Sequence, residues 1–171
     1  MFNNVLAGSD AVTVQDPPVL AAASIAARHK ARLHIIHVLE STSIKNRDTV
    51  RHYRTGAEML SGSSYQSEVR DEIARQYAGR LPENENCRID ITTGFPWLEI
   101  ARYARQIDPE LIVIGPHSQA AREKGVVRDA GRVGSTVEGV VKRAHCPVMI
   151  VNEAGAAVTP PFRRILVGVD F

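Results

Sequence analysis

The sequence of 171 residues is poor in cysteine, in aromatic residues and in net charge, and each shortage excludes a class of protein. Two cysteines, Cys87 and Cys146, are too few for a disulfide framework or a cysteine metal cluster, which is typical of a reducing cytosol. Aromatic residues make up 5% of the chain, too few for a platform that stacks single-stranded nucleic acid. The formal charge of +2 gives no sign of the basic face that binds a phosphate backbone.

Long hydrophobic runs are missing as well. The longest uninterrupted apolar run is Val19 to Ala23, whereas roughly 18 residues are needed to span a bilayer. The N-terminus has no basic stretch ahead of an apolar one, so the sequence predicts no secretory signal. We therefore expect a cytoplasmic protein with no membrane partner and no nucleic-acid partner.

Short apolar runs and helical apolar periodicity alternate along most of the chain. The apolar runs predict five strands, at residues 4–8, 33–39, 88–92, 111–114 and 147–151. Between them the spacing predicts helices at residues 17–30, 65–79 and 96–107 and from Ser135 onward. Asp16 is expected to cap the first of these helices, and the last is expected to have an inner face of Val137, Val140, Val141 and Ala144. Residues 41–64 are polar and have no assignable pattern. This alternation predicts an α/β fold, a doubly wound parallel sheet with helices on both faces.

The loops after the first and fourth predicted strands are the strongest candidates for a binding site. In doubly wound sheets, ligands bind beyond the carboxyl ends of the strands, where the winding direction reverses. A reversal between these two strands puts Gly8-Ser9-Asp10 and Gly115-Pro116-His117-Ser118 in one crevice. Gly134-Ser135-Thr136 begins the next helix, where backbone amides attract anions. These segments suit a ribose and a phosphate chain, although glycine after a strand and serine at a helix start are also ordinary structural features.

Four segments of the chain resemble the universal stress protein family. They are residues 5–10, Gly115-x-x-Ser118, Gly134-Ser135-Thr136 and His145-Cys146-Pro147-Val148. The resemblance covers residues 1–152 and implies the strand order 3-2-1-4-5 and, usually, a dimer. One branch of that family binds ATP or AMP through the motif G-x2-G-x9-G-S/T, and another branch lacks the motif and binds no nucleotide. The resemblance thus implies ATP or AMP as the cofactor, with Mg²⁺ as a possible companion ion.

The resemblance also implies roles for individual residues. Those expected at the ribose and adenine are Gly8, Ser9 and Asp10, with Val38 offering backbone contacts to the adenine. Those expected to line the ribose and phosphates are Gly115, His117 and Ser118, followed by Gly134, Ser135 and Thr136 at the phosphates. The chain departs from the motif at two points. Ser118 stands in place of the second glycine, and fifteen residues rather than nine separate it from Gly134.

The end of the chain repeats its beginning. The segment Ile165-Leu166-Val167-Gly168-Val169-Asp170 echoes residues 5–10 at an offset of 160 positions. A stretch with glycine and proline, residues 153–161, precedes the echo and has the composition of a linker. The pattern predicts one domain over residues 1–152 and the first strand of a truncated second copy over residues 162–171. We expect this strand either to add to a sheet edge or to form a disordered tail.

Three functions stay open at this stage. The first is a regulatory protein that binds an adenine nucleotide, the second a nucleotide-free dimeric module that acts through protein contacts, and the third a nucleotide-processing enzyme. Asp10 is the one evident general base, so any hydrolysis of ATP would be slow. The motif G-x4-G-K-S/T of P-loop enzymes is missing from the sequence.

Two more features bear on partners. The apolar last strand, residues 147–151, predicts a homodimer because an exposed edge of this kind aggregates unless it is covered. His34 and His37 lie three residues apart on one strand, so their side chains point to opposite faces and cannot share a metal ion. We therefore predict no metal site.

Overall fold

The computed structural model describes residues 2–11, 16–42, 49–81, 86–116 and 134–152 of the chain. These residues form seven strands and four helices. The strands are β1 (Asn4–Ser9), β2 (Arg32–Glu40), β3 (Thr49–Arg51), β4 (Glu58–Leu60), β5 (Cys87–Gly94), β6 (Leu111–Ile114) and β7 (Val148–Ile150). The helices are α1 (Pro17–His29), α2 (Ser63–Gln76), α3 (Pro96–Ile107) and α4 (Ser135–Val141).

Five of the strands form one parallel sheet in the order β5-β2-β1-β6-β7. When these five strands are numbered 1 to 5 in chain order, the order in the sheet is 3-2-1-4-5. The expected fold and strand order are therefore confirmed. The central strand β1 pairs with β2 on one side, where Val5 is opposite Leu33, and with β6 on the other, where Val5 is opposite Leu111. The winding direction reverses between β1 and β6, so the carboxyl ends of these two strands flank the switch point.

The two faces of the sheet have separate cores because successive side chains of a strand point to opposite sides. The core under α1 and α2 contains, from the sheet, Val5, Ala7, Leu33, Ile35, Leu39, Ile91, Leu111 and Val113. The core under α3 and α4 contains, from the sheet, Leu6, Ile36, Val38, Ile112 and Ile114. His34 and His37 lie on opposite faces, as their spacing predicts: His37 contacts Ser9 and His34 contacts Tyr103.

Residues 41–64, which have no assignable pattern in the sequence, include a small antiparallel hairpin of β3 and β4 and the first two residues of α2. The hairpin packs by its aromatic residues: the His52 ring stacks on Tyr53 at 5.2 Å and lies 5.6 Å from Tyr65 at the start of α2. Arg54 in the turn forms an ion pair with Glu72 of α2. Since the contacts of His52 with Tyr65 and of Arg54 with Glu72 join residues more than ten positions apart, local periodicity does not indicate them.

Several boundaries differ from the sequence prediction by one to three residues, as in helix α2, which runs from Ser63 to Gln76 rather than over residues 65–79. The edge strand β5 runs from Cys87 to Gly94, longer than the predicted residues 88–92, because its whole length pairs with β2. Helix α4 ends at Val141, before Ala144, and the Val141 side chain is 50% exposed instead of facing the core. The expectation that Val141 belongs to the inner face of this helix is therefore wrong. The predicted strand at residues 162–171 lies outside the described residues.

Among the described residues, no helix combines the length and hydropathy that a membrane span requires.

Candidate functional site

The carboxyl ends of β1 and β6 lie side by side and form the centre of the candidate site. Ser9, Asp10 and Ala11 follow one strand to this edge, and Gly115 and Pro116 follow the other. The amide of Gly134, directly before α4, donates a hydrogen bond of 2.9 Å to the carbonyl oxygen of Pro116. The start of α4 is thereby held beside the end of β6.

Gly8 permits the close packing of β1 at this edge. A Cβ atom added at Gly8 would lie 3.0 Å from Cγ2 of Ile114 and 3.6 Å from Cδ1 of Ile100. The first distance is tighter than ordinary side-chain contacts, so a larger residue would push β1 away from β6 or from α3. The structure thus gives Gly8 a packing role at the end of β1.

Helix α4 is fixed against α3 by a glycine and an aromatic ring. A Cβ atom at Gly139 would lie 2.6 Å from Cβ of Trp97, so no other residue allows the two helices to approach this closely. On the same ring, the Arg143 guanidinium stacks with its carbon 4.3 Å from the ring centroid. The first turn of α4 contains Ser135 and Thr136. Its position therefore depends on the contact between Gly139, one helical turn later, and Trp97.

The chain turns sharply where it leaves β1. Ala11 is fully buried and has φ 59°, in the left-handed region that residues with a Cβ atom rarely adopt. Its amide donates to Oγ of Ser9 at 3.1 Å, and its carbonyl oxygen accepts from Nε2 of Gln76 at 3.5 Å. Such strain persists only where neighbouring groups impose it, and it is common at binding sites.

Asp16 is the most unusual ionisable residue of the site. Its side chain is buried, and its Oδ2 accepts a hydrogen bond of 3.2 Å from the Asp10 amide. Although Asp16 is the N-cap residue of α1, its carboxyl makes no capping hydrogen bond to that helix. Burial, and next the neighbouring Asp10 carboxylate, raise the pKa of Asp16 to about 7.

His37 and Tyr77 complete the polar interior beneath Asp10. Nδ1 of His37 lies 2.8 Å from the Ser9 carbonyl oxygen, and since a carbonyl only accepts, Nδ1 carries the proton. Burial lowers the pKa of His37, which is therefore neutral at pH 7. Burial likewise raises the pKa of the Tyr77 hydroxyl, which faces Ser9 and Asp16. We call Ser9, Asp10, Asp16, His37 and Tyr77 the β1 cluster.

A comparison of the sequence with models of protein families identifies the family of this chain. The model of the universal stress protein family matches residues 1–152. The chain belongs to the universal stress protein family. No curated protein matches the sequence significantly.

Solved universal stress proteins share the fold of this chain. A universal stress protein solved in complex with cAMP has a TM-score of 0.55 and 19% identity, over 88% of this chain and 97% of its own. Universal stress protein UspA from Lactobacillus plantarum has a TM-score of 0.58 and 21% identity, with the same shares. One from Archaeoglobus fulgidus has a TM-score of 0.51 and 19% identity, over 86% of this chain and 43% of its own.

Most of the site residues expected for a universal stress protein fall at one edge of the sheet. Gly8, Ser9 and Asp10 end β1, Gly115 follows β6, and Gly134, Ser135 and Thr136 begin α4. Val38 lies on β2 just past His37, which is paired with Ser9, and its side chain packs in the core under α3 and α4. His117 and Ser118 lie outside the described residues.

Sequence reasoning missed Asp16, Tyr77 and Gly139 as parts of this candidate site. Asp16 was expected to cap α1, since aspartate before proline is a common helix start. Its carboxyl points back to β1 because the Asp10 amide lies within reach there. Tyr77 and Gly139 belong to helices that approach the site through tertiary packing, and no local pattern marks them.

The other face of the sheet has a second polar cluster. On the edge strand, Arg88 pairs with Asp90 at 2.8 Å, and Tyr103 of α3 donates its hydroxyl proton to the same carboxylate. Nδ1 of His34 lies 3.3 Å from the Tyr103 hydroxyl oxygen, and burial lowers the pKa of His34. We call His34, Arg88, Asp90 and Tyr103 the edge cluster. Beside it is an open cleft of about 310 Å³, lined by Ile36, Thr92, Thr93, Glu99, Arg102, Tyr103 and Gln106.

The two cysteines are poor nucleophiles. Burial raises the pKa of Cys87 to about 11 and also raises the pKa of Cys146. Both thiols are therefore protonated at neutral pH, and the thiolate is the reactive form.

Proposed function

We propose that this universal stress protein domain binds an adenine nucleotide, ATP or AMP, as a regulatory ligand in the crevice between β1 and β6. The observation that carries the proposal is the hydrogen bond between Gly134 and Pro116, which joins the start of α4 to the end of β6 at the switch point. A universal stress protein of the same fold, solved with cAMP, supports an adenine nucleotide as the class of ligand.

Each part of the nucleotide has a candidate partner at this edge. Asp10 is half-buried directly after β1, where its carboxylate can accept hydrogen bonds from ribose hydroxyls. The backbone of Val38, at the end of the next strand, is the proposed contact of the adenine. Gly115 is proposed at the ribose, while Gly134, Ser135 and Thr136 are proposed at the phosphates, with the hydroxyls of the last two as donors. His117 and Ser118 remain predictions.

Binding, with at most slow hydrolysis, is the proposed activity. Asp10 is the candidate general base. When Mg²⁺ accompanies ATP, the ion takes its oxygen ligands largely from the phosphates and from water. The cytoplasm is the proposed location, and the tandem second copy stays a prediction.

Calorimetric titration with ATP and with AMP tests the proposal, and the chain offers a matched pair of glycines for it. Gly134 and Gly62 both precede a helix that begins with serine, and both have extended backbones that accept a side chain. In Gly134→Val we expect the affinity to fall at least about tenfold because the side chain obstructs the phosphates, whereas Gly62→Val should bind like the parent. A parent protein that binds neither nucleotide, or equal affinities in both variants, contradicts the proposal.

A homodimer through β7 is the second proposal. Ile150 on this edge strand is 43% exposed and Val141 on the adjacent helix is 50% exposed, so a partner would remove both from water. Sedimentation should give twice the chain mass of 18.7 kDa at micromolar concentration, and Ile150→Lys should shift the protein to the monomer. A monomeric parent would contradict the dimer and would leave the proposal of nucleotide binding unchanged.

A further inference from the structure

We propose that Asp16 is a positioning residue that couples nucleotide binding to proton uptake: its buried carboxyl holds the Asp10 backbone, and it becomes protonated as the nucleotide binds. The inference rests on the proposed function, since the ligand is the adenine nucleotide at the β1–β6 crevice. It adds a regulatory input to that site, the pH of the surroundings.

The Asp16 carboxyl contacts the end of β1 and does not cap its own helix, α1. Its side chain leaves the N-terminus of α1 uncapped and reaches back to the end of β1, where Oδ2 accepts from the Asp10 amide at 3.2 Å. With 4% of its surface exposed, Asp16 is buried against the segment that carries the proposed ribose ligand. Movement of this carboxyl therefore moves the Asp10 backbone.

The groups that face Asp16 come from three elements. Asp10 follows β1 and adds a second carboxylate, Ser9 on β1 adds a hydroxyl, and Tyr77 at the end of α2 adds a phenol. His37 of β2, the histidine of the β1 cluster, is neutral, and its ring forms a hydrogen bond with Ser9 rather than with Asp16. Burial and Asp10 favour the protonated acid, which is why the pKa of Asp16 lies at about 7, whereas the donated hydrogen bond of the Asp10 amide and the nearby hydroxyls of Ser9 and Tyr77 favour the carboxylate.

Nucleotide binding shifts this balance in one direction. The phosphate group adds negative charge to the crevice, and the bound base and ribose displace water from the end of β1, so both effects disfavour a second carboxylate beside Asp10. The hydrogen bond from the Asp10 amide opposes them, but it is present with and without ligand. Asp16 therefore binds a proton more tightly in the complex, and the affinity for nucleotide rises as the pH falls from 8 to 6.

The size of the effect follows from charge separation. Unit charges about 10 Å apart at an effective dielectric constant of about 20 interact by about 1.7 kcal/mol, which limits the change in affinity to about 17-fold. We expect a change of about three- to tenfold because solvent and salt screen part of this interaction. This range is large enough for calorimetry to resolve.

The test compares the parent, Asp16→Asn and Asp90→Asn by calorimetry with AMP and with ATP at pH 6, 7 and 8. Asparagine keeps the acceptor for the Asp10 amide and removes the titration, so the difference between the parent and Asp16→Asn cancels the titration of the phosphate itself. We expect the parent to lose about three- to tenfold in affinity relative to Asp16→Asn between pH 6 and 8. Asp90→Asn, in the edge cluster, should follow the parent at every pH.

A second measurement needs no variant. The ¹³C shift of the Asp16 side-chain carboxyl, followed against pH with and without saturating nucleotide, should have a higher midpoint in the complex. Binding with the same pH profile in the parent and Asp16→Asn, or an unmoved Asp16 midpoint, overturns this inference and leaves the proposed function standing. Failure of the parent to bind either nucleotide at any pH overturns both.

Discussion

The β1 cluster and the edge cluster share three residue types but surround their aspartates with groups of opposite charge. Each has a histidine from β2, an aspartate and a tyrosine, and the two clusters lie on opposite faces of the sheet. At the edge, Asp90 has a side chain that is 22% exposed and is paired with Arg88. At β1, Asp16 is buried and faces Asp10, a second carboxylate.

The difference shows that the neighbours of an aspartate, more than its residue type, decide what it does. Asp90 is partly exposed and faces the Arg88 guanidinium, so the edge cluster is a structural ion pair with two further hydrogen bonds. Burial and a like charge leave Asp16 poised between its two protonation states near neutral pH. Only the second arrangement can respond to a ligand or to a modest change of pH.

Replacing Asp16 should have the largest effect. Because its pKa is raised from 3.8 to about 7 on folding, the contribution of Asp16 to stability is fully present below pH 3.8, decreases steadily as the pH rises from 3.8 to about 7, and is gone above that value. We expect the parent to lose about 2 kcal/mol of unfolding free energy relative to Asp16→Asn between pH 5 and pH 8. Urea unfolding of both proteins at the two pH values measures this, and a difference that does not vary with pH contradicts it.

Asp90→Asn is the matched control for that experiment. An ion pair near the surface contributes less than about 1 kcal/mol, so the loss in unfolding free energy should be small and similar at pH 5 and pH 8. A loss at pH 8 as large as the effect at Asp16 would mean that the two clusters do not differ as described.

Tyr77→Phe should have an intermediate effect on the pKa of Asp16. It tests how much one hydroxyl of the β1 cluster contributes to that pKa. The Tyr77 hydroxyl lowers the pKa of Asp16, so its removal should move the midpoint of the Asp16 carboxyl ¹³C titration upward. Because the Tyr77 hydroxyl makes no hydrogen bond to the described residues, the unfolding free energy at pH 8 should change by less than about 1 kcal/mol. Tyr103→Phe removes the corresponding hydroxyl of the edge cluster and should leave the Asp16 midpoint in place.

Arg88→Ala should have the smallest effect. The Arg88 side chain is 70% exposed, so its pair with Asp90 is screened by solvent and by salt. We expect a loss of a few tenths of a kcal/mol at low ionic strength that disappears near 1 M NaCl, where the Debye length is about 3 Å. A loss that persists at high salt would show that Arg88 stabilises the edge by packing instead of by charge.

The same contrast explains how far the sequence could predict this molecule. The five strands of the sheet and their helices were predictable because apolar runs such as Leu111–Ile114 and periodic stripes such as that of α2 are local patterns. The edge that joins Asp10 to Gly134 followed from the switch-point rule. The inward turn of Asp16 and the contact of Gly139 with Trp97 depend on tertiary distances, which no spacing in the sequence encodes.

An amide ¹H–¹⁵N titration of the full chain with AMP at pH 7 tests the central claim most directly, because it reports the β1–β6 crevice and the edge cleft in one experiment. The account predicts shifts that saturate at Ser9, Asp10, Ala11, Gly115 and Gly134, with the amides of Asp90, Thr92 and Tyr103 unmoved. Shifts centred on those last three amides, or no shift at the first five with millimolar AMP, would contradict it.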